Sequence, residues 1–214
     1  MTSQIAVIGL GLFGSAVATT LAEQGHHVLG IDIDEKSSSA LMHVLSEVVT
    51  VTEVNEAILQ SLSINEYDAV VIGITDIEAS LTIAQMLRDL GVTHIVCKAK
   101  SALHGKILQR IGVDRVIYPE RDMGIRVAQN LVAKSITGSI VLNPQQQIVT
   151  APAPHACIGH PVGTIQWQTE TGISILAIQR GNEVLSHPAA TFVINQDDIL
   201  VLLGTSADIA TLLK

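Results

Sequence analysis

Three glycines, Gly9, Gly11 and Gly14, follow the apolar run Gln4-Ile5-Ala6-Val7-Ile8, and an acidic residue, Asp32, closes a second apolar run eighteen residues after the last of them. A strand delivered into GxGxxG and then into a helix is a phosphate cradle. The first glycine permits the tight turn, the second lets backbone approach a pyrophosphate, and the third lets the helix pack close to the sheet. The helix N-terminus adds unpaired N–H groups and partial positive charge. At its spacing, Asp32 can accept hydrogen bonds from a ribose 2′-hydroxyl and would repel a 2′-phosphate. These residues predict nucleotide binding.

Other chemistry finds little support. The eight histidines form no HExxH or metal-spaced cluster, no serine or cysteine sits in a nucleophile-elbow sequence, and GxxxxGK[ST] is absent. Cys97 and Cys157 lack a CxxC partner and read as reduced residues, with neither disulfide nor metal. The formal net charge of −8, with no Lys/Arg block, argues against a nucleic-acid binder. Some 48% of residues are apolar but only 2% aromatic, so the core must be built from Val, Ile, Leu and Ala, as in parallel sheets covered by helices. No apolar run approaches the roughly 20 residues of a membrane span, and no basic leader precedes the first strand, which predicts a cytoplasmic chain.

The elements that must position the glycines follow from periodicity. Strands are expected at the first apolar run, Val28–Asp32, Val48–Val51, Ala69–Ile74, His94–Lys98 and Arg115–Ile117. Helices are expected between them, including Glu35 to about Leu45, Ile77–Leu90 and Ser101 to Gly112. Such alternation predicts an α/β fold: a Rossmann-like, doubly wound parallel sheet in the order 3-2-1-4-5-6, with the ligand crevice at the ends of the first and fourth strands. A further helical pattern, Arg121 to about Ala133, has no following strand to return to, and a second copy of the chain is expected to cover it. The boundary is placed between 134 and 140, giving domains 1–136 and 137–214. Pro144–Gln147 and Ala151–Pro154 read as turn and loop. Ile173–Ile178, Phe192–Ile194 and Ile199–Leu203 read as strands of a small β-rich α+β domain that ends in a short helix.

Several segments resemble the RCK or KTN proteins, nucleotide-binding regulators of potassium transporters and channels of the Ktr and Trk type. The most discriminating are Lys98-Ala99-Lys100 and the run from Ile107 to Gly124, which contains Gly112-Val113-Asp114-Arg115 and Pro119-Glu120-Arg121-Asp122-Met123-Gly124. Gly172–Gly181 and Asp198–Gly204 are similar to the family's small C-terminal lobe. The resemblance implies a gating subunit with no chemistry of its own. It would be a homodimer assembling into a ring, octameric by analogy, beneath a membrane-embedded potassium transporter subunit of KtrB or TrkH type, and so cytoplasmic and peripheral to the inner membrane. The implied ligand is ATP or ADP, with NAD(H) in some members. The implied binding residues are Gly9, Gly11, Leu12, Phe13, Gly14, Asp32, Ile33, Asp34, Thr52, Ile74 and Lys98, and Glu120 is implied to hold a divalent cation, Mg²⁺ or Ca²⁺. Leu12 stands where Ktr-type members commonly carry Arg, which removes a contact to a terminal phosphate. Thr52 stands where Asp or Asn is common, and Gln168 and Ser174 stand where a cyclic di-AMP site would call for Arg and Asn. Regulation of another cation transporter, or NAD(H)-dependent oxidoreduction, is the alternative.

Overall fold

The structure is a computed structural model that describes residues 2–132, 137–143, 145–165 and 172–212. It divides into two compact units, Met1–Asp122 and Met123–Lys214.

The first unit alternates strands β1 (Gln4–Ile8), β2 (His27–Asp32), β3 (Glu47–Thr50), β4 (Ala69–Ile72), β5 (Ile95–Lys98) and β6 (Arg115–Ile117) with helices. These are α1 (Leu12–Glu23), α2 (Glu35–Leu41), α3 (Glu56–Ser61), α4 (Ile77–Asp89) and α5 (Ala102–Ile111). All six strands are parallel, in the expected order β3-β2-β1-β4-β5-β6. The central strands are apolar on both faces because both are covered. Val7, Val28 and Val71 pack with Ala18 of α1 and Leu41 of α2 on one side. On the other side Ile8, Ile31 and Ile72 pack with Leu59 of α3, Leu87 of α4 and Leu108 of α5. Helix starts follow the capping rule: Asp34, Asn55, Asp76 and Ser101 each accept a backbone N–H in the first turn of α2, α3, α4 and α5. Helix α2 stops four residues short of expectation, because the chain turns after Leu41, whose carbonyl accepts both Val44 N–H and Leu45 N–H.

Helix α6 (Pro119–Val132) buries none of its described side chains and leaves Met123, Ile125, Val127 and Leu131 about half or more exposed. Part of the expected domain boundary, 134–136, lies outside the described residues.

The second unit is a five-stranded antiparallel sheet, in the order β10-β9-β11-β8-β7. Its strands are β7 (Gly138–Val141), β8 (Gln146–Pro152), β9 (Ser174–Arg180), β10 (Glu183–Ser186) and β11 (Asp198–Thr205), and α7 (Ser206–Leu212) follows. Along β11 burial alternates strictly, Leu200 and Leu202 facing a core that also holds Val149, Ile178, Ile194 and Ile209. Two expectations fail here. Gln146–Pro152, read as mostly turn and loop for its glutamines and prolines, is a seven-residue strand paired with both β7 and β11. Phe192–Ile194, read as a strand, makes a single bridge, Pro161 to Val193. The β9–β10 hairpin turns at Gly181-Asn182 as expected, with Gly181 at φ +60°.

Among the described residues of this unit, Asp198 is the buried charge. It accepts two hydrogen bonds from Arg180, at 2.7 and 2.8 Å, and a third from Asn195 N–H at 2.8 Å. The Arg180 hydrogen bonds, then the Asn195 N–H, hold its carboxyl below the usual range against the opposing effect of burial. Arg180 also stacks over Phe192 and donates to the Val193 carbonyl, which ties the irregular Phe192 segment to the sheet.

Candidate nucleotide-binding cleft

The glycine loop is built by contacts that exclude side chains. Gly9 leaves β1 at φ +91°, and a Cβ on it would lie 2.9 Å from the Ile74 side chain. A Cβ on Gly14 would lie 1.8 Å from the Gly9 carbonyl oxygen, and one on Gly73 would lie 2.8 Å from the same atom. Gly9, Gly14 and Gly73 thus bring the loop, α1 and the end of β4 together. Gly11 is different: nothing lies within 4 Å of its ideal Cβ, and it caps α1 without any side-chain hydrogen bond. Protein packing therefore does not demand glycine at Gly11. The first N–H groups of α1 are left without a side-chain cap there.

A cleft of about 620 Å³ opens beside this loop, at the ends of β1, β2, β3 and β4, and Gly9, Gly11, Asp32, Ile33, Thr52 and Ile74 all line it. Such a volume suits a small ligand or cofactor. The Asp32 carboxylate accepts Leu10 N–H at 2.5 Å and Asp34 N–H at 2.9 Å, which hold it in place at the rim. The far wall is Gly73, Thr75, Asp76, Glu78, Ala79, Thr82 and Ile83. Asp76 is committed to Ala79 N–H at 2.9 Å, so the N-terminus of α4 is closed by its own cap. Four carboxylates, Asp32, Glu53, Asp76 and Glu78, line the cleft, and no lysine or arginine among the described residues does. Ile74, between Gly73 and Thr75, is the one residue on this side that the sequence predicted for the binding set; the signals for the remainder were Gly73 at the end of an apolar run and the Asp76 cap.

The other residues named from sequence sit elsewhere. Leu12 begins α1 almost fully exposed, while Phe13 turns inward against the core on the α1 side of the sheet. Asp34 caps α2, accepting from the Ser37 hydroxyl at 2.7 Å and the Ser37 N–H at 3.0 Å, and these bonds lower its pKa. Lys98, at the end of β5, is buried and forms an ion pair at 2.6 Å with Glu120 in the first turn of α6. Neither is among the lining residues of the cleft. The Lys98 hydrogen bond, followed by Glu120's own N–H, lowers the Glu120 pKa. No group of three or more metal-ligating side chains converges among the described residues.

Two arrangements that could suggest catalysis are structural. Buried His104 lies 2.8 Å from the Ser80 hydroxyl through Nε2, but its Nδ1 accepts Lys100 N–H at 3.2 Å. The proton therefore sits on Nε2 and is donated to Ser80, the reverse of what a base activating serine requires. Burial pushes the Cys97 thiol up to about 12, leaving no reactive thiolate at neutral pH.

Comparison with known proteins agrees with this architecture. Residues 5–119 match the TrkA-N domain and residues 147–214 the TrkA-C domain. The chain is 36% identical over 211 residues to Ktr system potassium uptake protein C of Bacillus subtilis (strain 168), covering 98% of this chain and 96% of that one. It is 33% identical to Ktr system potassium uptake protein A of the same organism, covering 96% and 93%, and 30% identical to that of Vibrio alginolyticus, covering 99% and 96%. Among solved structures, the GsuK RCK domain covers the whole chain at TM-score 0.68 and 19% identity, and this chain spans 48% of it. The GsuK channel bound to NAD gives TM-score 0.67 at 20% identity over 99% of this chain and 39% of that one. The chain belongs to the TrkA-N/TrkA-C family, alongside the Ktr potassium uptake proteins.

Proposed function

We propose that the chain is the nucleotide-sensing regulatory subunit of a potassium uptake system and performs no chemistry of its own. The observation that carries this is Gly11, a glycine whose Cβ position no described atom crowds, at the uncapped end of α1 beside the Asp32 carboxylate. End-to-end similarity to Ktr potassium uptake proteins supplies the process. A pyrophosphate seats on the N–H groups of α1, and Asp32 takes the ribose hydroxyls. Thr52 and Ile33 flank the adenosine half. ADP, ATP and NAD(H) are the ligand class; structures of GsuK bound to NAD and to ADP support it.

Residues 1–136 form the sensing domain and 137–214 the regulatory domain. Helix α6 supplies the homodimer contact, because a helix with none of its described side chains buried gains stability only when a partner covers its apolar side. Dimers assemble into a ring, octameric in this reading, on a membrane subunit of KtrB or TrkH type, so the chain works at the cytoplasmic side of the membrane. No helix among the described residues is long and apolar enough to cross a membrane. Glu120 contributes to a divalent cation once Lys98 gives it up. The nucleotide gates transport only through its difference in affinity for two ring states, about 1–3 kcal/mol in systems of this kind.

The test is potassium uptake by cells carrying the transporter and either this chain or its Gly11→Asp variant. Nucleotide-dependent uptake lost in the variant, with basal flux retained, is the expected result. Unchanged nucleotide dependence overturns the reading.

A further inference from the structure

His104 is a buried titratable group to which the nucleotide reading gives no task. Its ring is the middle of a chain of hydrogen bonds. Lys100 N–H donates to Nδ1 at 3.2 Å, Nε2–H donates to the Ser80 hydroxyl at 2.8 Å, and that hydroxyl donates to the Ile77 carbonyl at 3.1 Å. The first of these bonds requires a neutral ring, because Nδ1 accepts only when it carries no proton of its own. The chain joins two places with different surroundings. At one end, Ile77 and Ser80 belong to the first turn of α4, whose Glu78, Ala79, Thr82 and Ile83 wall the cleft. At the other, Lys100 ends a segment tied to the first turn of α6 by the Lys98–Glu120 pair at 2.6 Å and to β6 by Ala99 N–H on the Ile117 carbonyl at 2.8 Å.

We propose that His104 is a proton-operated latch between the cleft wall and the segment Lys98-Ala99-Lys100, so that acid weakens ligand binding in the cleft. The inference rests on the nucleotide-sensing reading above and adds the proton as a second input. A proton on Nδ1 sets two donors, Nδ1–H and Lys100 N–H, face to face in a site closed to water, where His104 is 2% and Ser80 0% exposed. The Lys100 bond then breaks, and the charged ring is stable only if the contact between α4 and α5 opens to water. The neighbouring elements do little to offset that charge. Helix α4 presents the Ser80 hydroxyl, while its carboxylates Asp76 and Glu78 are exposed at the cleft. Strand β5 carries Cys97, a protonated thiol, and Lys98, a like charge already paired with Glu120 of α6. The turn before α5 and α5 itself carry Lys100 and Lys106, both exposed, and the chain entering α6 sets the Tyr118 hydroxyl against Gly105. Burial lowers the His104 pKa, so the latch is closed at neutral pH and opens as pH falls below the ordinary histidine range. By linkage, a ligand that needs the closed wall opposes protonation to the same degree that protonation opposes the ligand.

The experiment uses the full chain, stripped of nucleotide, from about pH 7.5 to about pH 5, a range that brackets the ordinary histidine value. It pairs hydrogen exchange of residues 98–101, referred to exchange in β1, with calorimetric titration by ADP, for the parent and for His104→Gln. The glutamine amide can accept from Lys100 N–H and donate to Ser80 but does not titrate, and the ionisation of ADP itself affects both proteins alike. In the parent, exchange of 98–101 should rise relative to β1 as pH falls, and ADP affinity should drop by about fivefold, the lower end of ordinary coupling between sites. The variant should show neither change. Exchange of 98–101 that keeps pace with β1, or a fall in ADP affinity that is equal in both proteins, overturns the proposal and leaves the nucleotide-sensing reading intact. Should the variant not fold, the parent decides: ADP must slow exchange of 98–101 more at acid than at neutral pH, and equal slowing overturns the latch. Failure of ADP to bind at any pH overturns both readings.

Discussion

The two units solve the same packing problem differently, and the first leaves a cleft at the ends of its strands. In the first unit a parallel sheet is buried on both faces, so its open surface is the crevice at the strand ends, where glycines bring backbone close together. In the second unit an antiparallel sheet keeps one strongly buried face, and its edge strands expose Ile140, Val141, Val184 and Leu185. Its distinctive interior feature is a charge pair, Arg180 and Asp198, that holds an irregular segment to the sheet.

Within the first unit the sharpest way to test that contrast is to compare two glycines. Gly14→Ala should unfold the unit or cost it more than about 3 kcal/mol, because the new Cβ meets backbone at 1.8 Å and neither partner can yield. Gly11→Ala should leave the denaturation midpoint within about 0.5 kcal/mol of the parent, since its Cβ meets nothing and its φ is −64°, yet it should weaken nucleotide binding. Equal effects on stability would erase the distinction between a packing glycine and a ligand glycine.

In the second unit, Asp198→Ala strands Arg180 and frees Asn195 N–H. It should cost roughly 3 kcal/mol in urea denaturation, at the lower end for a broken buried pair because Arg180 is 44% exposed. Nucleotide affinity should not change.

A smaller effect separates the two units by pH. Burial lowers the His104 pKa, and the native state holds the ring neutral between Lys100 N–H and Ser80. The unfolded chain binds this proton below about pH 6.5, so the contribution is complete above that pH and is lost as pH falls through the lower native value. Melting of the first unit should therefore fall with acidification through this window, and His104→Gln should flatten the dependence. The smallest effect is Glu120→Gln: Glu120 is 69% exposed and the amide oxygen can still accept from Lys98, so stability should change by less than about 1 kcal/mol. Its consequence, if any, should be in the cation dependence of ligand binding.

Legibility differed between the units for the same reason. The parallel strands were readable because burial on both faces demands continuous apolar runs such as Ala69–Ile72, bounded by capping residues and glycines. Strand β8 was not, since Gln146, Gln147 and Pro152 signal a turn and the strand exists through pairing on both sides with β7 and β11. In the cleft, Gly9, Gly11 and Asp32 were legible because backbone geometry ties their types to their spacing. The Lys98–Glu120 pair was not: it joins the end of β5 to the start of α6, and no local pattern announces it. The His104–Ser80 pair between α4 and α5 was hidden in the same way.

The central claim, that the uncapped end of α1 is a nucleotide seat, is tested most directly by calorimetric titration of nucleotide-stripped protein with ADP and NAD⁺, parent against Gly11→Asp. Aspartate is a favourable N-cap, so the variant should melt at or above the parent temperature while its carboxylate occupies the phosphate seat. The account predicts saturable binding to the parent and its loss in that stable variant. Binding of equal affinity to both proteins would contradict it.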